Sequence, residues 1–186
     1  MRPSVIAFSA LIAVLALVRL GELVVSARRR RRTEAAPVAE PWLFPLMILL
    51  HAGLLIGPLL EVVLLERPLI VPLAVGAGAV LALATALRVW TLRTLGRSWN
   101  VRVLAPSEIV TGGPYAWIRH PNYLVVILEL AAIPLLHTAW ISAVALTALN
   151  ALVLTARIRT EESTLAQNPD WVAAMRSRKR LLPGVF

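Results

Sequence analysis

The sequence predicts an all-α integral membrane protein of five transmembrane helices, the last two a helical hairpin, in a single domain over residues 1–186. Three observations carry this. Hydrophobic residues make up 59% of the chain, more than a soluble domain of this length can bury, so lipid must be the main solvent. The apolar residues come in serial runs, long enough to cross a hydrocarbon core of roughly 30 Å. The positive charge, net +9, flanks those runs, which is how membrane orientation is encoded.

The first run, about 3–25, is followed by the block Arg28 to Arg32. A cleaved signal peptide carries its charge before the apolar run, so a retained helix with its N-terminus outside is expected. A polar linker, 33–40, contains Pro37 and leads to the second helix, about 41–65. The turn Glu66-Arg67-Pro68 opens the third, about 69–92. Residues 93–120 are polar and glycine-bearing, and a connection that long tends to be functional. Helices at about 122–136 and 139–158 then form the hairpin, the first of them short for a full crossing. The tail, 159–186, reads as amphipathic and basic, with Trp171 as an interfacial anchor. Arginines crowd the first loop, the long loop and the tail, whereas the opposite side has only Arg2 and Arg67. The C-terminus and the long loop are therefore expected in the cytoplasm.

Charge and composition also exclude chemistry. There is no cysteine, hence no disulfide, thiolate metal ligand or cysteine nucleophile. No HExxH, CxxC, Walker or GxGxxG pattern occurs, so neither a metal site nor nucleotide hydrolysis is expected. The basic charge suits anionic lipid headgroups, and no nucleic-acid partner is expected.

Ionisable groups inside apolar runs are costly in lipid and so are candidate functional residues. Arg19 and Glu22 share one face of the first helix, where mutual neutralisation is the plainer reading. His51 reads as a hydrogen-bonded packing residue and Glu61 as structural; Glu129 stands alone in the fourth run. Asn150, Arg157 and Glu161, spaced by seven and four, fall on one helical stripe that must face the bundle interior. An Arg157–Glu161 pair closing the helix end is one reading, yet Glu162 and Arg119 bring more charge than a closure needs.

The long loop ends GGPYAWIRHPNY. Gly112, Gly113 and Pro114 set a turn, and Pro121 suits the first turn of the following helix. His120 and Asn122 then stand beside backbone amides at a helix N-terminus, where an anionic ligand group is stabilised. A simple capping role for His120 stays open beside that reading.

The ordered pair GPYxxxRHPNY and RIRxEExxL resembles the isoprenylcysteine carboxyl methyltransferase family, over roughly residues 88–186. The resemblance implies S-adenosylmethionine as cofactor, enclosed by the long loop, the hairpin base and the tail. Position by position it implies cofactor contacts at Asn100, Ser107, Glu108, Ile109, Val110, Tyr115, His120, Pro121, Asn122, Tyr123 and Glu161. It assigns Arg157 to the substrate end as the catalytic residue, with Asn150, His51 and Glu129 as further substrate-side candidates. Stretches such as RLGELVVSARR and LRVWTLRTLGRSWNVRV are most similar to bacterial alkylpyrone and alkylresorcinol O-methyltransferases, which accompany type III polyketide synthases. That similarity implies a bacterial cytoplasmic membrane, a lipophilic acceptor drawn from the bilayer and a functional link to such a synthase. A phenolic acceptor, with a reference pKa of roughly 10, would benefit from a base, with His51 or Glu129 available. A prenylcysteine carboxylate acceptor, an NADPH-dependent membrane reductase and a non-catalytic membrane partner are the alternatives.

Overall fold

The computed structural model describes residues 2–32, 42–96, 99 and 109–182. The chain forms α1 (Pro3–Arg32), α2 (Leu43–Leu64), α3 (Val71–Leu95), α4 (Pro121–Leu135), α5 (Trp140–Leu165) and α6 (Pro169–Met175). A 3-10 turn, Gly113–Ala116, lies between α3 and α4. Among the described residues there is no strand, only one parallel bridge between Ile118 and Lys179. Four helices are long and apolar enough to cross a membrane: Pro3–Arg29, Leu43–Leu64, Val71–Leu95 and Trp140–Leu165. With its 15 residues, α4 spans about 22 Å at 1.5 Å per residue, short of the hydrocarbon thickness.

Helix ends differ from the sequence expectation for local reasons. α1 runs through the arginine block to Arg32, because arginine is a good helix former and nothing in the block breaks the ladder. α5 continues to Leu165, so Glu161 and Glu162 are helical, not part of the tail. The tail itself holds α6, whose N-cap Asn168 accepts from the Asp170 amide at 2.9 Å. Trp171 is buried and does not face lipid. An exposed edge-to-face pair, Trp90 and Trp117 with centroids 5.8 Å apart, stands at the surface instead. Linker 33–40 lies outside the described residues.

Consecutive helices alternate in direction, and the core joins α1, α2 and α4. Val5, Phe8 and Ile12 meet Leu54, Val62, Val126, Leu130 and Ile133. α2 approaches α5 through a GxxxG pair: Gly53 faces Leu146, where an added Cβ would lie at 3.0 Å, and Gly57 faces Ser142. At the end away from the long loop, Glu61 fixes the start of α5. Its carboxylate accepts from the Ile141 amide (3.1 Å), the Ser142 amide and the Ser142 hydroxyl (both 2.7 Å), and it pairs with Arg67 (3.0 Å). A charged acceptor on otherwise orphaned helix N–H groups is a cap supplied from another helix, the structural role expected of Glu61.

Candidate functional site

At the loop end the helices enclose a cavity of about 360 Å³, within the roughly 300–1,000 Å³ typical of small-molecule sites. Helical periodicity explains which side chains reach it. Ala16, Arg19, Leu20 and Leu23 form one face of α1; Met47, His51 and Leu55 stack on one face of α2. Arg88 comes from α3, Tyr123 and Val126 from α4, and Arg157 and Glu161 from successive turns of α5. Trp99, Tyr115, Arg119, His120 and Asn122 close the loop side.

Tyr123 links the two α5 residues. Its hydroxyl accepts from Arg157 Nε at 2.7 Å and donates to the Glu161 carboxylate. The Arg157 guanidinium lies 5.6 Å from the Tyr123 ring centroid, and its Nη1 donates to Met47 Sδ. Burial, reinforced by the Glu161 charge, raises the Tyr115 hydroxyl above its ordinary value, so it stays a neutral donor.

Glu162, the next residue, faces the other way and acts as a clamp. It takes Arg119 at 2.8 Å, His120 Nε2 at 3.1 Å and Arg180 at 2.8 Å. The tail therefore runs along the RHPNY segment: the Arg119 amide donates to Lys179 O at 2.8 Å and the His120 amide to Arg180 O at 3.0 Å. Arg178 donates to the Thr111 and Tyr115 carbonyls, holding the 3-10 turn. That turn needs Gly113, whose φ is +55° and whose missing Cβ would sit 2.4 Å from Thr94 Oγ1.

A second polar group lies deeper. Arg19 pairs with Glu22 at 2.8 Å, as their spacing suggested, but also with Glu129 at 2.6 Å. Arg88 pairs with Glu22 at 2.6 Å and approaches Glu129 at 3.5 Å. This quartet ties α1, α3 and α4 together inside the apolar layer. Arg19, Glu22 and Arg88 form cavity wall, while Glu129 sits behind them. Opposite, His51 donates Nδ1–H to the Met47 carbonyl at 2.8 Å.

Of the sequence candidates, Tyr115, His120, Asn122, Tyr123, Arg157, Glu161 and His51 converge on one cavity. His120 occupies the N-cap position of α4 without a side-chain cap bond, its ring stacked on Tyr123. Pro121 is buried and starts the helix; Ile109 and Val110 are half-buried outside the wall. Asn150 is buried elsewhere on α5, its Nδ2 without a hydrogen-bond partner among the described residues. Asn100, Ser107 and Glu108 lie outside the described residues. The helix-end amides are mostly engaged: His120 N–H goes to Arg180, and those of Tyr123 and Leu124 to the His120 carbonyl. Among the described residues the Asn122 amide has no such bond.

Sequence reasoning missed Arg88, Met47 and Arg29. Arg88 had a signal, as a lone charge inside the third apolar run. Met47 had none. Arg29 holds the start of the long loop, donating to Gly96 O at 2.7 Å and Trp99 O at 3.2 Å while covering the Trp99 ring.

Comparison with known proteins bears on this arrangement. The family model described as the isoprenylcysteine carboxyl methyltransferase (ICMT) family matches residues 76–167, from α3 through α5. The uncharacterized protein YpbQ of Bacillus subtilis (strain 168) is 33% identical over 166 residues, covering 86% of this chain and 97% of that protein. The matched span holds Arg88, the whole RHPNY segment, Arg157 and Glu161, and the chain belongs to the ICMT family of membrane methyltransferases.

Proposed function

We propose that the protein is an S-adenosylmethionine-dependent O-methyltransferase acting on a lipophilic acceptor, with the hydroxyl of an alkylpyrone- or alkylresorcinol-type lipid as the favoured target. The observation that carries this reading is the Arg157–Tyr123–Glu161 chain of contacts in a cavity with one polar and one apolar side. One side is closed by the polar loop. On the other, Leu20, Leu23 and Ile48 line the cavity yet are 58%, 38% and 43% exposed, which opens it sideways to the bilayer. A charged, water-soluble donor and an apolar acceptor can meet only at such a place. The five-helix topology with N-terminus outside and loop end in the cytoplasm belongs to the same proposal and follows the arginine bias.

The residues present fit the cofactor. Glu161 offers a carboxylate to its cationic part, and Asn122 Oδ1 is a buried acceptor without a hydrogen-bond partner among the described residues. S-adenosylmethionine supplies an already activated methyl group, so the protein's task is orientation and exclusion of water. Glu161, with Tyr115, Asn122 and the His120 ring, holds the donor at the loop side. Arg157, fixed by Tyr123 and Met47, steers the acceptor oxygen towards the methyl group. A prenylcysteine-type carboxylate is the second reading, favoured by the description of the matching family.

The test separates the two α5 residues. Glu161→Gln should weaken S-adenosylmethionine binding by tenfold or more in isothermal titration of the purified protein. Arg157→Ala should leave that affinity within about threefold while abolishing methyl transfer to lipid. Equal cofactor affinity in wild type and Glu161→Gln would remove Glu161 from the donor site.

A further inference from the structure

We propose that the acceptor enters as a neutral, phenol-like hydroxyl on an amphiphile and that His51 is the general base that takes its proton. The inference rests on the methyltransferase reading above and concerns a wall which the family match does not include. His51, Met47, Arg19 and Glu22 all lie on α1 and α2, outside residues 76–167.

Elimination among the groups lining the cavity points to His51. Glu22 accepts from both Arg19 and Arg88, so its oxygens already face two cations. Glu161 accepts a hydrogen bond from the Tyr123 hydroxyl and sits at the donor end. His120 gives its Nε2–H to the Glu162 carboxylate and, stacked on Tyr123, belongs to the loop side that holds the donor, away from the acceptor. Glu129, the other base the sequence offered, is ion-paired behind the wall. His51 differs. The Met47 carbonyl can only accept, so Nδ1 carries the hydrogen and Nε2 keeps its lone pair. Met47, one turn before His51 on α2, also contacts Arg157, so the base and the residue that steers the acceptor share a neighbour.

Charge at this depth decides the acceptor's form. Arg19 and Arg88 are balanced by Glu22 and Glu129, two against two, inside the apolar layer. A carboxylate head brought beside this closed set would meet cations already matched by Glu22 and Glu129, an expensive placement in low dielectric, and Arg157 is already held by Tyr123 and Met47. A neutral hydroxyl adds none. Its alkyl tail leaves past Leu20 and Ile48 to the lipid.

In the reaction the acceptor's O–H bond breaks and the proton passes to His51 Nε2. The oxygen lone pair forms the new bond to the methyl carbon, and the pair of the broken carbon–sulfur bond stays on sulfur. The imidazolium then releases its proton to water from the loop side.

Two measurements test this with the full chain in nanodiscs. The first needs no turnover: an alkyl nitrophenol, whose absorbance reports ionisation, is titrated with pH in the presence of S-adenosylhomocysteine. The charges facing His51 are Arg19 of α1, Arg88 of α3 and Glu129 of α4, with Arg157 of α5 beyond Met47, and all persist in His51→Gln. The bound probe should ionise at least one pH unit lower in wild type than in His51→Gln; identical titrations would overturn the proposal. The second compares acceptors. With a simple alkylphenol, His51→Gln should lower kcat by about 10²-fold or more. With the nitrophenol, whose acidic hydroxyl gives up its proton with little help from a base, the loss should be under about threefold. An equal loss for both acceptors, or methylation of carboxylates alone by a wild type that binds cofactor, would defeat this inference and spare the methyltransferase reading. A wild type that binds no S-adenosylmethionine would defeat both.

Discussion

Replacing Glu162 by glutamine removes the charge that joins α5, the RHPNY segment and the tail. Glu162 meets Arg119 at 2.8 Å, His120 at 3.1 Å and Arg180 at 2.8 Å. The first two partners are well covered, with side chains 19% and 3% exposed, so their charge-assisted bonds lie in the range of roughly 1.5–3 kcal/mol each. Arg180 is 36% exposed, and solvent reduces that pair to about 1 kcal/mol or less. Glutamine keeps one accepting oxygen, so about half the total disappears, roughly 2 kcal/mol. That corresponds to about 30-fold in the ratio of docked to detached tail. The readout is hydrogen exchange at the Arg119 and His120 amides, which donate to Lys179 and Arg180 carbonyls only while the tail is docked. Both should lose about 30-fold of their protection, while mid-helix amides of α4 stay protected. Unchanged protection at these two amides would refute the clamp, whatever happened to activity.

Gly113→Ala should cost about 1–2 kcal/mol from its left-handed backbone alone, with a further loss from the Thr94 clash. Adding Thr94→Ala should restore only the second part, measured as cofactor affinity and thermal midpoint. Glu61→Ala should lower thermal stability by about 2 kcal/mol, since it leaves two α5 amides and Arg67 without their acceptor. Cofactor affinity, far along the bundle, should stay within twofold. Gly53→Leu should cost about 1–3 kcal/mol by pushing α2 off Leu146, and a Leu146→Ala second change should recover part of the Tm.

Hydropathy made the helices legible, because lipid forces backbone groups to bond within one segment. Their ends were less so: arginine neither breaks nor marks a helix, and α5 passes from apolar to charged at Arg157 without a turn signal. The site was readable where a charge had no apolar excuse, as at Arg157 and Glu161. Local spacing could not reveal which partner each charge finds across the bundle. Arg19 and Glu22 share a face and do pair, yet their bonds to Arg88 and Glu129 come from distant helices. The adjacent glutamates were indistinguishable by sequence, and the rotation of about 100° from one helical residue to the next sends one to the cavity and the other to the tail. Trp171 read as an interfacial anchor because the tail around it is amphipathic and basic, but tertiary packing buries it.

The central claim is methyl transfer to a lipid at the loop end of the bundle. Its most direct test is incubation of the purified protein in nanodiscs with methyl-labelled S-adenosylmethionine and a total lipid extract, followed by partition into organic solvent. Label should appear in an extractable lipid with wild type and be absent with Arg157→Ala. No extractable label from a folded wild type, with oxidation of NADPH in its place, would contradict the account.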